Sequence, residues 1–340
     1  MGHYIGVDLH QKTSFITKVD EKGKVLQQIN LKNDPETLKS FFKKQPIGSQ
    51  VVVEATGHWY HFYELIEDRF PDLVLAHPQK VKAIASAKIK TDKIDSGILA
   101  QLLRVDLLPR AYVPPREIRD LREVLRYRAS LVKLRTQAKN RMDSVITKAG
   151  IESVTKDHFG VKNFRHLAKV EVRPCYKLEV NGYMEVIRDL TREIAKSDEV
   201  IKKMAQESPE AQLLMTMPGM GAFSSLLVLS EIGDIRRFPD PEHLCSYGGL
   251  EPSVHASGGK SYRGHITKQG SKWIRWILIE GSLHAIRKTR RYGKLYARVK
   301  KKHGHNAGRT AVARAMLKSI FHMLRKKEAF EDCPASSEGV

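Results

Sequence analysis

The spacing of apolar residues changes twice along this chain, and each change suggests a different kind of structure. Residues 4–9 (Tyr-Ile-Gly-Val-Asp-Leu), 13–19 (Thr-Ser-Phe-Ile-Thr-Lys-Val) and 24–31 read as three short strands, with Lys22-Gly23-Lys24 marking the second turn. A helix is predicted from about Pro35 to Lys44, opened by Asp34 as a cap. Residues 50–54 (Gln-Val-Val-Val-Glu) predict a buried strand, Ala55-Thr56-Gly57 leads into a helix over 58–69, and residues 72–76 and 78–87 predict one more strand and one more helix. Three strands in series followed by alternating helix and strand is the pattern of an α/β domain of the RNase H or RuvC-like kind.

Beyond Pro114-Pro115 the period becomes helical. Leu121, Val124, Leu125, Leu131, Val132, Leu134, Ala138, Met142 and Val145 recur among Arg, Lys and Glu, which predicts a long charged helix and a coiled-coil arm. A second helix is expected over 183–206, and residues 151–180 carry little pattern. From Leu213 a third, mainly α-helical region begins. Pro218-Gly219-Met220-Gly221 precedes an apolar helix over 222–232, a Gly-rich loop covers 247–259, and helices resume at about 271–288 and 307–326. The expected division is therefore 1–112, an α/β domain; 113–210, a helical linker; 211–328, a mainly α carboxy-terminal domain; and 329–340, a frayed tail.

Composition narrows the function. The 340 residues include no run near the roughly 18 apolar residues of a membrane span, so no membrane partner is expected. With no signal-peptide pattern and three dispersed cysteines, Cys175, Cys245 and Cys333, a reduced, cytoplasmic protein is expected. The formal net charge is +21, and residues 260–327 hold 20 basic side chains against one acid, Glu280. Such a block attracts a polyanion. A merely solvated basic surface is the plainer reading, but Trp273, Ile274, Trp276, Ile277, Leu278 and Leu283 are interleaved with the charges and require packing.

Four acids stand out against this basic background. Asp8 lies in an apolar strand, Glu54 follows three valines, and Asp92 and Asp95 are three residues apart, which on a helix gives them one face. Singly, each has an ordinary reading: a buried acceptor, a strand-end charge, a helix cap, a partner for Lys88 or Lys90. Together at one sheet edge they would repel strongly without cations. Two Mg2+ ions, or Mn2+ in their place, would bridge them to a phosphate. Tyr-Ile-Gly-Val-Asp-Leu-His, Val-Val-Val-Glu-Ala-Thr-Gly and Lys-Thr-Asp-Lys-Ile-Asp resemble the DEDD signature of RuvC-like insertion-sequence transposases of the IS110 family. The resemblance implies that Asp8, Glu54, Asp92 and Asp95 form a metal-binding tetrad. His10, beside the strand that carries Asp8, could touch the site, though a satisfied structural role is the plainer expectation.

The rear half is similar to the same family's transposase domain. The similarity runs through Met217-Pro218-Gly219-Met220-Gly221, Ser230-Glu231-Ile232-Gly233-Asp234, Arg237-Phe238, Ser246 to Pro252, Ser257-Gly258-Gly259-Lys260, Gly264 to Gly270 and Arg275. Pro-Gly-x-Gly before a helix resembles a helix-hairpin-helix, whose Gly219 and Gly221 would let backbone N–H groups approach a DNA phosphate; a plain helix-entry turn fits as well. The family's catalytic serine occupies the motif in which Ser257 stands here, which makes Ser257 the candidate nucleophile, with Ser253 and Ser261 as rivals. Lys260, Arg263, Lys268 and Arg275 are candidates for stabilising the phosphate. His255 and His265 remain open as participants.

The resemblance implies a transposase that excises and inserts an element through serine attack on a phosphodiester. It further implies a homo-oligomer, dimer or tetramer, and a non-coding bridge RNA that selects donor and target DNA. Two other readings stay open: a RuvC-like nuclease or junction resolvase without serine chemistry, and a non-catalytic nucleic-acid-binding protein.

Overall fold

The computed structural model describes residues 2–85, 91–257 and 260–332, and only the backbone of 254–257 and 260–263. The chain forms two compact units, residues 1–113 and 114–340. No helix among the described residues is long and apolar enough to cross a membrane.

The first unit runs β1 (Tyr4–Leu9), β2 (Thr13–Val19), β3 (Val25–Lys32), α1 (Pro35–Lys43), β4 (Gln50–Glu54), α2 (Trp59–Ile66), β5 (Val74–Ala76), α3 (Pro78–Ile84) and α4 (Asp92–Arg104). Its sheet has the order β3-β2-β1-β4-β5. The first three strands form an antiparallel meander, and β1, β4 and β5 are parallel. This topology is consistent with a RuvC-like domain. The predicted helix over 78–87 ends at Ile84 with Ala85 as its cap, and residues 86–90, including Lys88 and Lys90, lie outside the described residues.

Strand alternation divides the core between the two faces of the sheet. Ile5, Val7, Leu9, Val51 and Val53 pack with Leu38, Phe42, Phe62 and Ile66 of α1 and α2. On the other face Val52, Val74 and Ala76 pack with Leu99, Leu102 and Leu103 of α4. Gly6 is the closest point of that second contact. A Cβ there would lie 2.1 Å from the Ser96 carbonyl oxygen and 2.6 Å from the Ala100 nitrogen, so only glycine lets α4 settle on β1. The Thr17 and Ser96 hydroxyls meet at 2.7 Å in the same buried layer.

Backbone cannot yield as a side-chain tip can, so Gly6→Ala is expected to cost about 1–3 kcal/mol of stability. It should also push α4 outward by about 1 Å, and a misplacement of that size near a reacting centre can cost roughly 10²-fold in rate. Thermal unfolding and a strand-cleavage assay read the two effects separately. An unchanged melting temperature would contradict the tight contact.

The second unit comprises α5 (Arg116–Lys148), α6 (Val161–Lys169), α7 (Pro174–Glu207), α8 (Pro209–Met215), α9 (Ala222–Ile232), α10 (Pro241–Tyr247), β6 (Pro252–Ser257), β7 (Lys260–Ile266), α11 (Lys272–Lys288) and α12 (Arg290–Lys326). The long helices α5 and α7 run antiparallel. Arg128 donates to Asp198 at 2.8 Å and Arg135 to Thr191 at 3.3 Å, while Val145 and Val180 share a core with α6. The weakly patterned stretch 151–180 thus contains α6 and the first two turns of α7. Its short apolar face, Phe164 and Leu167, is too brief to show a period.

Two further expectations change. The Gly-rich loop of 247–259 gives way at Pro252 to the antiparallel hairpin β6–β7. The tail is packed at its start: Phe330 stacks on Tyr292 with ring centroids 5.8 Å apart, and the Asp332 carboxylate accepts from the Arg290 N–H at 2.8 Å. Residues 333–340 lie outside the described residues.

Helix α12 is broken at Gly304, where φ is 85°. The Tyr292 hydroxyl lies 2.9 Å from the Ser319 hydroxyl, a pair that a straight helix would hold about 40 Å apart. The two halves therefore fold back on each other as an antiparallel helical hairpin.

Candidate active site

Each of the four acids reaches its place through the local fold. Asp8 is the fifth residue of β1, on the face shared with Gly6, and is buried. Parallel pairing sets Val7 opposite Val53, which brings Asp8 and Glu54 side by side at the carboxyl ends of neighbouring strands. Helix α4 lies with Ser96, Leu99 and Ala100 against Gly6, so its first turn, carrying Asp92 and Asp95, projects past the end of β1. Thr91 caps that turn, accepting from the Ile94 N–H at 3.3 Å. The partial positive charge of the helix start eases the crowding of carboxylates there.

The structure brings Asp8 and Asp92 together around His10. His10 Nε2 lies 3.4 Å from the Asp8 carboxylate and 3.3 Å from that of Asp92. The potential ligand atoms of Asp8, His10 and Asp92 all fall within 4.8 Å of one another. The missed signal was the period of two: residues 8 and 10 share one face of an extended chain. Asn33 fixes the turn by donating from Nδ2 to the His10 carbonyl at 2.7 Å. A cleft of about 300 Å³ opens beside His10, lined also by Asn33, His58, Tyr60 and His61.

These residues fit a divalent metal. Carboxylate oxygens from two strand ends and a helix start are the hard donors that Mg2+ and Mn2+ take, and an added imidazole suits the transition metals. Asp8 and Asp92, with His10 beside them, are placed to hold such an ion, and Glu54 and Asp95 fall outside that close group.

In the second unit, Ser257 ends β6 and pairs with Lys260 at the start of β7; Gly258 and Gly259 lie outside the described residues. Arg263 is in β7 opposite Val254. For Ser257, Ser261, His255, Lys260 and Arg263 the backbone alone is described. Among the rivals, Ser253 sits in the same strand beside Gly264, and His265 is exposed near the hairpin's base.

That base is held firmly. Glu251 accepts from Arg314 through both oxygens at 2.7 and 2.8 Å. Arg275 donates to the Gly248 carbonyl at 3.1 Å. Burial draws the Arg275 pKa below the usual arginine value. Gly249, with φ 64°, passes so close that a Cβ there would lie 2.4 Å from that guanidinium. Lys268 is exposed with φ 55°.

Gly219 and Gly221 occupy the turn between α8 and α9. Gly219 has φ 94° and abuts α11: a Cβ would meet the Gly281 carbonyl oxygen at 2.3 Å. The Gly221 N–H donates to the Ser224 hydroxyl at 2.6 Å. Close packing thus accounts for the first glycine, whatever else approaches the turn.

The Ser-Glu-Ile-Gly-Asp motif contains a buried centre that its sequence did not announce. Glu231 is only 4% exposed. It accepts from Arg126 at 2.8 Å and from the Ser271 hydroxyl, the cap of α11, at 3.0 Å. Arg122 donates to the Ser230 carbonyl at 2.8 Å and the Glu231 carbonyl at 3.3 Å. One carboxylate therefore ties α5, α9 and the start of α11 together.

Carboxylates gathered at parallel strand ends, in a strongly basic chain, suit metal-assisted chemistry on a polyanion. Comparison with known proteins makes this specific. Residues 5–151 match a family model for DEDD transposases of IS110 type, and residues 211–297 match the model of the transposase IS116/IS110/IS902 family. The chain is 26% identical to the transposase for insertion sequence element IS1111A of Coxiella burnetii, over 96% of this chain and 90% of that one. It is 23% identical to a probable family 20 transposase of Pseudomonas aeruginosa, over 83% and 84% of the two chains. A transposase for insertion sequence element IS1328 of Yersinia enterocolitica is 27% identical over 61% of each. The two models together span more than half of the chain, which belongs to the IS110 family of DEDD transposases, enzymes that cut and rejoin DNA.

Proposed function

We propose that this transposase excises and inserts an insertion-sequence element, using the carboxylates of the first unit and Ser257 of the second on one phosphodiester. The observation that carries the first half of this reading is the convergence of Asp8 and Asp92 around His10, with Glu54 in register beside Asp8. A bound divalent ion, Mg2+ or Mn2+, supplies positive charge to the phosphate and withdraws electrons from phosphorus. The chain's own residues do the rest. Asp8, Glu54, Asp92 and Asp95 hold the site, and Ser257 attacks. A bond forms between the serine oxygen and phosphorus, the bond to one sugar oxygen breaks, and that sugar leaves as its hydroxyl with the proton. Because the phosphoserine link conserves a phosphodiester, attack by a different sugar hydroxyl rejoins strands without an external energy source.

On this reading residues 1–112 are the RuvC-like metal-binding domain, 113–210 a helical arm for assembly, and 211–328 the serine-bearing domain with a helix-hairpin-helix at Gly219 and Gly221. Residues 329–340 form a tail. Lys260, Arg263, Lys268 and Arg275 attract the phosphate. Resemblance to the family supports a dimer or tetramer and a bridge RNA that chooses donor and target.

Ser257→Ala tests the serine. The variant is expected to lose strand transfer and the covalent protein–DNA band seen on denaturing gels, while still binding DNA. Metal-dependent cutting that persists in the variant would favour the nuclease reading instead.

A further inference from the structure

We infer that the tip of the α12 hairpin is a docking element for duplex DNA, built from residues other than those of the serine hairpin and the acid cluster. The inference rests on the reading of the chain as a DNA-joining enzyme, and it lies beyond residue 297, where the second family match ends.

The tip gathers Arg298, Lys300, Lys301, Lys302, His303 and His305 around the break at Gly304, all of them exposed. On the second half of α12 four cations meet acids: Arg309 faces Glu280, Arg314 pairs with Glu251, Lys318 with Glu242 and Lys326 with Glu328. Neither the three tip lysines nor Arg298 has an ion pair among the described residues. The sequence offers no acid at all between Glu280 and Glu328. The helix end tolerates some positive charge through its dipole, but Arg298 and Lys302, four apart, repel. A polyanion relieves that repulsion.

The tip is also built rather than loose. The Tyr296 hydroxyl lies 2.6 Å from His305 Nδ1. Gly308 fits against the Tyr296 ring so closely that a Cβ there would come within 2.8 Å of it. The Lys300 ammonium lies over the same ring at 5.6 Å. Successive residues of a helix point about 100° apart, so Lys300, Lys301 and Lys302 fan around the helix end. A fan reaches phosphates on both walls of a groove. The B-form major groove, about 12 Å wide, admits a helix of 10–12 Å diameter. The deep, narrow groove of A-form RNA does not.

The test measures full-length protein binding to a duplex of about 30 base pairs across a salt series, for wild type and for Lys300→Gln/Lys301→Gln/Lys302→Gln. Each phosphate contact contributes about 0.9 to the slope of log affinity against log salt, so the triple variant should lose about 2 to 3 from that slope. At 0.1 M salt its affinity should fall roughly tenfold to a hundredfold. Lys169→Gln/Lys202→Gln/Lys203→Gln, an equal charge loss at exposed sites on α6 and α7, should leave the slope nearly unchanged. All tip side chains are exposed, so circular dichroism should be unaltered in both variants.

Wild type that fails to bind duplex DNA would defeat the functional reading itself. Wild type that binds, with a tip variant indistinguishable from it or from the control, would overturn the docking tip and leave the functional reading intact. Loss of affinity for an A-form RNA duplex without loss for DNA would likewise overturn it.

Discussion

Asp8→Asn is expected to bind DNA like the wild type and to cut it on the order of 10³-fold more slowly, since removing several kcal/mol of charge stabilisation slows a reaction by about that factor. Asparagine keeps the shape of the side chain but removes its charge. Because β1 is paired on both edges, by β2 and β4, the backbone at position 8 should not move. The lost quantity is affinity for a divalent cation, and isothermal titration with Mn2+ should show it directly as weakened binding. Cleavage at the wild-type rate in this variant would remove the acid cluster from the chemistry.

The second large effect concerns folding. Glu231→Ala should lower the melting temperature by on the order of 10 °C, because stripping one partner from a buried ion pair costs about 3 kcal/mol or more. The Arg122 side chain is 9% exposed and would be left facing the vacated carboxylate site, while Arg126, at 29%, can recover some hydration. The loss should therefore sit near the lower end of the usual range. The Ser271 hydroxyl loses its acceptor too. Arg126→Met should cost less than Glu231→Ala, and the double variant less than the sum. A melting temperature within a degree or two of wild type would show that the Glu231 centre contributes little.

Both residues belong to motifs visible in the sequence, yet only one stood out there as a candidate. Asp8 could be read because an acid in an apolar strand needs a reason, and the strand itself followed from alternation. The first four strands appear in the structure within a residue of their predicted bounds for the same cause: short, strongly patterned runs between turn residues. Glu231 was opaque because its partners, Arg122, Arg126 and Ser271, lie far away in sequence. The hairpin β6–β7 was hidden by its glycines, which suggest loop, and by a charge pattern without alternation. A single histidine beyond a strand end usually serves packing, and only the placement of α4 brings Asp92 to His10. The fold-back of α12 turns on one glycine inside an otherwise continuous helical pattern.

Gly6 offers a last lesson in how such an enzyme can fail. It carries no functional group and can never touch a nucleotide, yet the helix bearing half of the acids rests on its bare α-carbon. In a screen scored by transposition alone, substitution at this position would be indistinguishable from loss of a carboxylate. Main-chain fit at this contact thus decides where the proposed acids stand, and only a measurement of folding separates the two kinds of lesion.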